Sequence, residues 1–202
     1  MNGDEREAIV ALRRGDIAGL ETLARLHQVR ALRAAHAILG ERQAAEDVVA
    51  DAFLAVYDHI GQFDDRRPFG PWFYRIVANG ALKAVRSQRH GISSDGGTGD
   101  GESADTLACL EDPAADLEGE VARRELRDLV RACIGTLPPD QRAAIVLRYY
   151  LDMDEHAIAQ TLGCPPGTVK WRLHRARKRI WQSLAGADDA LPGRYLHRGE
   201  TL

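Results

Sequence analysis

Near the C-terminal end, Lys170, Arg172, Arg175, Arg177, Lys178 and Arg179 put six cations and no anion into one short stretch. At about 100° per residue, Val169, Leu173, Ala176, Ile180 and Leu184 fall on one seam of a helix. Thr168, Trp171, Arg175 and Lys178 then point the opposite way. Such a face suits DNA, since cations meet phosphates and guanidinium groups meet guanine edges. A solvated basic helix is the plain alternative. Around residues 71 to 88 the same winding gathers Trp72, Arg75, Asn79, Lys83 and Arg86 opposite Val77, Ala78, Ala81 and Val85. An aromatic ring, an amide and three cations on one face fit single-stranded DNA, where bases stack on rings and the backbone seeks positive charge. Against this stands the tendency of a tryptophan at a helix start to belong to the core. A third face, with Asp47, Asp51 and Asp58 around Leu54, has the pattern of a docking surface or of an ordinary acidic exterior.

The elements that must carry these faces are all helical, because apolar residues recur at three and four and β-branched alternation is missing. The first block reads as a short helix near 5 to 14, followed by a long one begun by Asp16 and ended by Gly40. The stripe of the long helix is Leu20, Leu23, Ala24, His27, Ala31, Ala35 and Ile38. A third helix, about 43 to 60, buries Ala45, Val48, Val49, Ala52, Val56 and Ile60. A fourth opens at Pro71 after the charged loop Asp64-Asp65-Arg66-Arg67-Pro68 and runs to about Gln88. The second block reads as helices near 114 to 134, 139 to 150, 154 to 162 and 167 to 184. The break Gly163-Cys164-Pro165-Pro166-Gly167 has helix-turn-helix length.

The net charge of -3 conceals a segregation. Residues 1–90 hold 13 basic and 12 acidic side chains, residues 91–120 none and 9, and residues 121–185 hold 12 and 6. Gly91 to Gly101 contains five glycines and almost nothing apolar, so it cannot offset its own ordering entropy and reads as a linker. The expected organisation is a neutral helical domain over 1–90, an acidic linker over 91–118, a basic helical domain over 119–185 and a short tail over 186–202. The tail contains Leu191, Tyr195 and Leu196 and no assignable motif. No apolar run is long enough to span a bilayer, and the acidic start Met1-Asn2-Gly3-Asp4-Glu5 is unlike a signal peptide, so a cytoplasmic protein without membrane insertion is expected. Cys109, Cys133 and Cys164 have neither disulfide-framework nor zinc spacing, and no metal or cofactor is expected. His156, His174 and Cys164 match no hydrolase or phosphate-binding motif, which argues against an enzyme.

Two runs in the first block, Ala44-Ala45-Glu46-Asp47-Val48-Val49-Ala50-Asp51-Ala52-Phe53-Leu54 and Phe69-Gly70-Pro71-Trp72-Phe73-Tyr74-Arg75-Ile76-Val77-Ala78-Asn79, resemble region 2 of bacterial sigma factors. Leu137-Pro138-Pro139-Asp140-Gln141-Arg142 and Gly167-Thr168-Val169-Lys170-Trp171-Arg172-Leu173-His174-Arg175-Ala176-Arg177 are similar to region 4. With no segment fitting region 1.1 or a folded region 3, the resemblance is to the extracytoplasmic-function group of the sigma-70 family. It implies partners: the β and β′ subunits of the RNA polymerase core, promoter DNA and an anti-sigma factor. Asp47, Asp51, Leu54 and Asp58 would dock on the β′ clamp. Phe63, Arg67, Trp72, Arg75, Asn79, Lys83 and Arg86 would hold opened bases of the -10 element. Thr168, Lys170, Trp171, Arg172, Arg175 and Lys178 would read the -35 duplex, and the acidic linker would thread the RNA path of the core enzyme.

The chain departs from the family pattern at Trp171, where a small residue, commonly Ser, is usual, at Ala157, where Glu is usual, and at Cys164 and Pro166 in the turn. These departures bear on which -35 sequence is preferred. The competing class is a stand-alone helix-turn-helix regulator, which would footprint duplex DNA without polymerase.

Overall fold

The computed structural model describes residues 3–91 and 117–186, all-helical with no strand among them. Most of the expected linker and nearly all of the tail therefore lie outside the described residues, as does Cys109. The first block consists of α1 (Gly3–Arg13), α2 (Ala18–Leu39), α3 (Arg42–His59), a 3-10 turn (Ile60–Gln62) and α4 (Phe69–Gly91). The second consists of α5 (Leu117–Gly135), α6 (Pro139–Ile145), a π turn (Val146–Tyr150), α7 (Glu155–Leu162) and α8 (Pro166–Gly186).

Helix α2 starts where the Asp16 carboxylate accepts the Ala18 amide N–H at 3.0 Å, so the expected capping acid acts one residue outside the helix boundary at Ile17. It ends at Gly40, whose φ of 80° is open to a glycine at little cost and whose N–H closes on the His36 carbonyl. Leu23, Ala31, Ala35 and Ile38 of the expected stripe are buried, and Leu20, Ala24 and His27 are half-buried. On α3, Ala45, Val49, Ala52 and Val56 are buried. On α4, Phe73, Val77, Ala78 and Ala81 face inward, and Phe73 meets Phe53 with ring centroids 4.6 Å apart.

In the second block the expected single helix over 139 to 150 divides. The Leu151 N–H reaches the Val146 carbonyl at 3.0 Å, five residues back, so the last turn widens into a π turn and then stops. Its end leaves the Tyr150 carbonyl without an intrahelical donor. Helix α7 is capped by Asp154, which accepts from the Ala157 amide at 2.7 Å, and closes at Gly163, whose φ is 61°. Helix α8 then begins at Pro166, where the missing N–H costs no hydrogen bond. The two blocks touch: α2 meets α6 and the π turn, and α4 meets α7.

Candidate nucleic-acid interface

Helix α8 is fixed by Val169, Leu173 and Ala176, all buried against α6 and α7, and each large apolar side chain contributes roughly 1.5–3 kcal/mol on burial. With that seam inward, Trp171, Arg175 and Lys178 stand exposed on the opposite face, as the winding predicts. Trp171 is 55% exposed, and the Arg175 guanidinium lies 5.6 Å from the centre of its ring. The pair forms a cation–π unit on the exposed face of the helix. Thr168 is half-buried. Lys170 is exposed but sits 3.7 Å from Glu155 of α7.

Arg172, expected among the residues that read the -35 duplex, lies apart from the outward face. Its side chain is only 18% exposed and donates to Asp140 at 3.2 Å, with the other guanidinium nitrogen 3.5 Å from the Cys164 sulfur. Winding places it beside the buried seam at Val169 and Leu173, so in this arrangement it ties α8 to α6.

On α4 the expected face is present: Arg75, Asn79, Lys83 and Arg86 are exposed, and Trp72 is half-buried at the first turn. Phe63 does not join them. Its ring is 4% exposed, packed 5.6 Å from Phe69 and 5.1 Å from Trp72, because the loop after the 3-10 turn folds inward there. In that position the Phe63 ring is covered from solvent and supports the ring of Trp72. The loop beyond it is held by Arg13, which the sequence did not single out. Arg13 donates to the Phe63 and Ile60 carbonyls and to Asp65 at 2.7 Å. The Arg13 hydrogen bond holds the Asp65 carboxyl below the usual carboxylate range. Arg67 remains exposed, 3.9 Å from Asp64.

Beneath this face runs a buried polar chain that the sequence also did not mark. His27 Nε2 lies 2.8 Å from Glu5 and His27 Nδ1 lies 2.9 Å from the Tyr74 hydroxyl. The neutral ring with its proton on Nε2 satisfies both bonds, donating to Glu5 and accepting from Tyr74. Burial lowers the His27 pKa, against the upward pull of Glu5, and burial raises that of Tyr74.

The third face is as wound. Leu54 is 61% exposed, with Asp47, Asp51 and Asp58 exposed around it and Tyr57 exposed beside it. Gln43 donates to Asp47 at 3.2 Å, one turn away. Among the described residues no group of three or more His, Cys, Asp or Glu could hold a metal, and no helix is long and apolar enough to cross a membrane.

Comparison with known proteins fits this division. Residues 23–91 match the family model for sigma-70 region 2, and residues 127–180 match that for sigma-70 region 4. The chain is 30% identical over 181 residues to the RNA polymerase sigma-H factor of Pseudomonas aeruginosa, covering 89% of this chain and 93% of that protein. It is 27% identical over 179 residues to the ECF sigma factor SigW of Bacillus subtilis, covering 89% and 96%. With the ECF sigma-E factor of Escherichia coli K12 it shares 35% identity over 135 residues, 66% and 70% of the two chains. In fold it is similar to the sigma factor RpoE of Bartonella quintana, solved with the anti-sigma factor NepR, at a TM-score of 0.59 and 23% identity over 78% of this chain and 90% of that one. CnrH, solved with the cytosolic domain of CnrY, gives a TM-score of 0.56 and 23% identity over 91% and 98%. The two family-model matches, and relatives matched over 93% and 96% of their length, place the chain in the extracytoplasmic-function group of the sigma-70 family of RNA polymerase sigma factors.

Proposed function

We propose that this sigma factor directs the polymerase core through three separate surfaces. Helix α3 docks on the β′ clamp through Leu54 and the acids around it. The outward face of α8 reads the -35 duplex, with Arg175 donating to a guanine edge and Lys170 and Lys178 to phosphates. The α4 face, with Trp72 at its head and Asn79 about two turns further along, holds unpaired bases of the -10 element, while Arg67, Arg75, Lys83 and Arg86 follow the strand. The β subunit of the core and an anti-sigma factor are the further partners of this reading, and the cytoplasm is its compartment.

The observation that carries it is the pairing, in one chain, of an exposed Trp171–Arg175–Lys178 face on a helix-turn-helix with a ring-supported Trp72 heading a cationic face on a separate helix. A duplex-binding regulator has use for the first face alone. Run-off transcription with bacterial core polymerase on a candidate upstream promoter tests the reading. A defined transcript that depends on this chain is the expected result. Protection of duplex DNA without polymerase, and no transcript with it, would overturn the reading.

A further inference from the structure

The side chain of Arg13, the last residue of α1, reaches the loop that links the 3-10 turn to α4. Its Nε donates to the Ile60 carbonyl at 3.4 Å, Nη2 donates to the Phe63 carbonyl, and Nη1 donates to the Asp65 carboxylate at 2.7 Å. One guanidinium thus grips the chain at three points between Ile60 and Asp65, with the fork geometry that a lysine lacks. Both carbonyl bonds are part-buried and Asp65 is half exposed, so the hold lies mainly in the two carbonyls. Beyond them the Asp64 side chain accepts the Arg66 N–H at 3.1 Å, and the Asp64 carbonyl accepts the Arg67 N–H at 3.0 Å. These bonds close a turn, and every residue from Asp64 to Pro68 is exposed.

The two partners of this contact are unequal. Helix α1 is firmly seated: Ala8, Ile9 and Leu12 are buried, and a Cβ added at Gly19 of α2 would collide with the Ala8 carbonyl, which leaves α1 no room to slide. The loop has far less to hold it. From Gly61 to Pro68 only Phe63 is buried, its ring 5.1 Å from that of Trp72. An exposed loop with a single apolar anchor is of the kind that opens locally. By holding the backbone at Ile60 and Phe63, Arg13 fixes how the Phe63 ring enters the core beside Trp72. By holding Asp65, it fixes where the turn with Arg66 and Arg67 stands relative to the head of α4.

We propose that Arg13 is a positioning residue for base selection: it touches no nucleotide, and it sets the Trp72 ring and the Asp64–Arg67 turn at the spacing that receives one kind of unpaired base. The inference rests on the -10 reading above. Stacking on a ring serves every base alike, whereas telling bases apart needs polar groups held to within about 0.5 Å. A loop released from Arg13 would keep the ring and lose the fixed donors of the turn. Selectivity should therefore suffer more than opening itself, the reverse of what removal of Trp72 does.

The geometry is tested first on the free full-length protein, labelled with fluorotryptophan at its three tryptophans. Arg13→Ala should shift or broaden the Trp72 fluorine resonance and leave those of Trp171 and Trp181 in place, with helicity checked by circular dichroism. Permanganate then measures open complexes of the holoenzyme on promoters that differ at single -10 positions. Arg13→Ala should lower the preference for the best base by roughly tenfold at one position while costing little on the best promoter. Arg13→Lys keeps the charge without the fork and should show an intermediate loss. Where Arg13→Ala loses helicity, Arg13→Lys decides by the same two readings. An unmoved Trp72 resonance in a folded variant overturns the inference, and so does a moved resonance with unchanged base preferences, which makes Arg13 a structural tie alone. Wild-type holoenzyme that opens all -10 variants alike would strike the -10 reading itself, and the role of Arg13 would fall with it.

Discussion

Arg172 on α8 donates to Asp140 at the start of α6 across 3.2 Å, while Arg175, three residues on, lies against the exposed ring of Trp171. Two arginines of one basic helix therefore have different tasks. Arg172→Ala is expected to lower stability by about 0.5–1 kcal/mol, since Asp140 is half exposed, and to leave the ranking of -35 sequences unchanged. Arg175→Ala is expected to cost about 1–3 kcal/mol at one base position. Thermal melts and competition binding of the holoenzyme to a panel of -35 variants measure both. A change of base preference in the Arg172 variant would put that side chain back on the DNA face.

Lys178 and Trp171 divide the same face further. Lys178→Ala should weaken all sequences alike and reduce the salt slope of binding by about one ion, as loss of a phosphate contact does. Trp171→Ser removes the ring under Arg175 and should alter base preference more than overall affinity. Salt titrations of both variants on two -35 sequences separate the effects, and a Lys178 variant with wild-type salt slope contradicts the phosphate role.

The acidic face of α3 gives the test of core binding. Asp51→Lys combined with Leu54→Glu should abolish co-purification with core polymerase and leave helicity intact, because both side chains are exposed and support no packing. Undiminished co-purification would remove α3 from the interface.

The helices, their ends at Gly40 and Gly163, and the outward faces of α3, α4 and α8 were legible because each depends on a period or a stop signal within a few residues. What was not legible depends on partners far away in the chain. Phe63 sits between Gln62 and Asp64 in a polar loop, and only the fold carries its ring beneath Trp72. Arg172 looks like its cationic neighbours until Asp140 is brought to it. Arg13 and Phe63 are 50 residues apart, and the π turn that frees the Tyr150 carbonyl lies in an apolar run that reads as plain helix. Glu5, His27 and Tyr74 come from three helices and have no common motif.

That buried chain predicts a pH dependence. Burial holds His27 below its ordinary value, and burial with the charges of Arg131 and Arg42 does the same for His36. The fold therefore favours the neutral rings, and the unfolded chain binds more protons as pH falls below about 6.5. The stabilisation is complete above that pH and is lost as pH drops toward the lowered folded values. The melting temperature should fall between pH 7.5 and 5.5 more steeply in the wild type than in His27→Gln, with a residual slope from His36. Parallel curves for the two proteins would deny His27 any part in the effect.

The remaining prediction concerns strand opening, where a sigma factor and a duplex-binding regulator part company. Extruding a base costs a few kcal/mol, and a stacking surface must offset that cost for the open strand to compete with the paired one. Trp72 can offer such a surface because Phe63 and Phe69 hold its ring in place, at 5.1 and 5.7 Å, while part of it stays exposed. Asn79 lies on the same face. Holoenzyme carrying Trp72→Ala and Asn79→Ala should still bind the -35 duplex yet form few open complexes. A template already mismatched across the -10 element should restore part of the activity, since the unpairing cost is then removed while the lost stacking is not. Phe63→Ala should act in the same direction through a loosened Trp72, with an added loss of stability of about 3–5 kcal/mol from the emptied core position. Permanganate reactivity of thymines near the start site, on paired and mismatched templates, reads the opening directly. Wild-type opening of paired DNA by the Trp72 and Asn79 double variant would mean that the ring is held there for packing alone, and that the opened strand is gripped elsewhere.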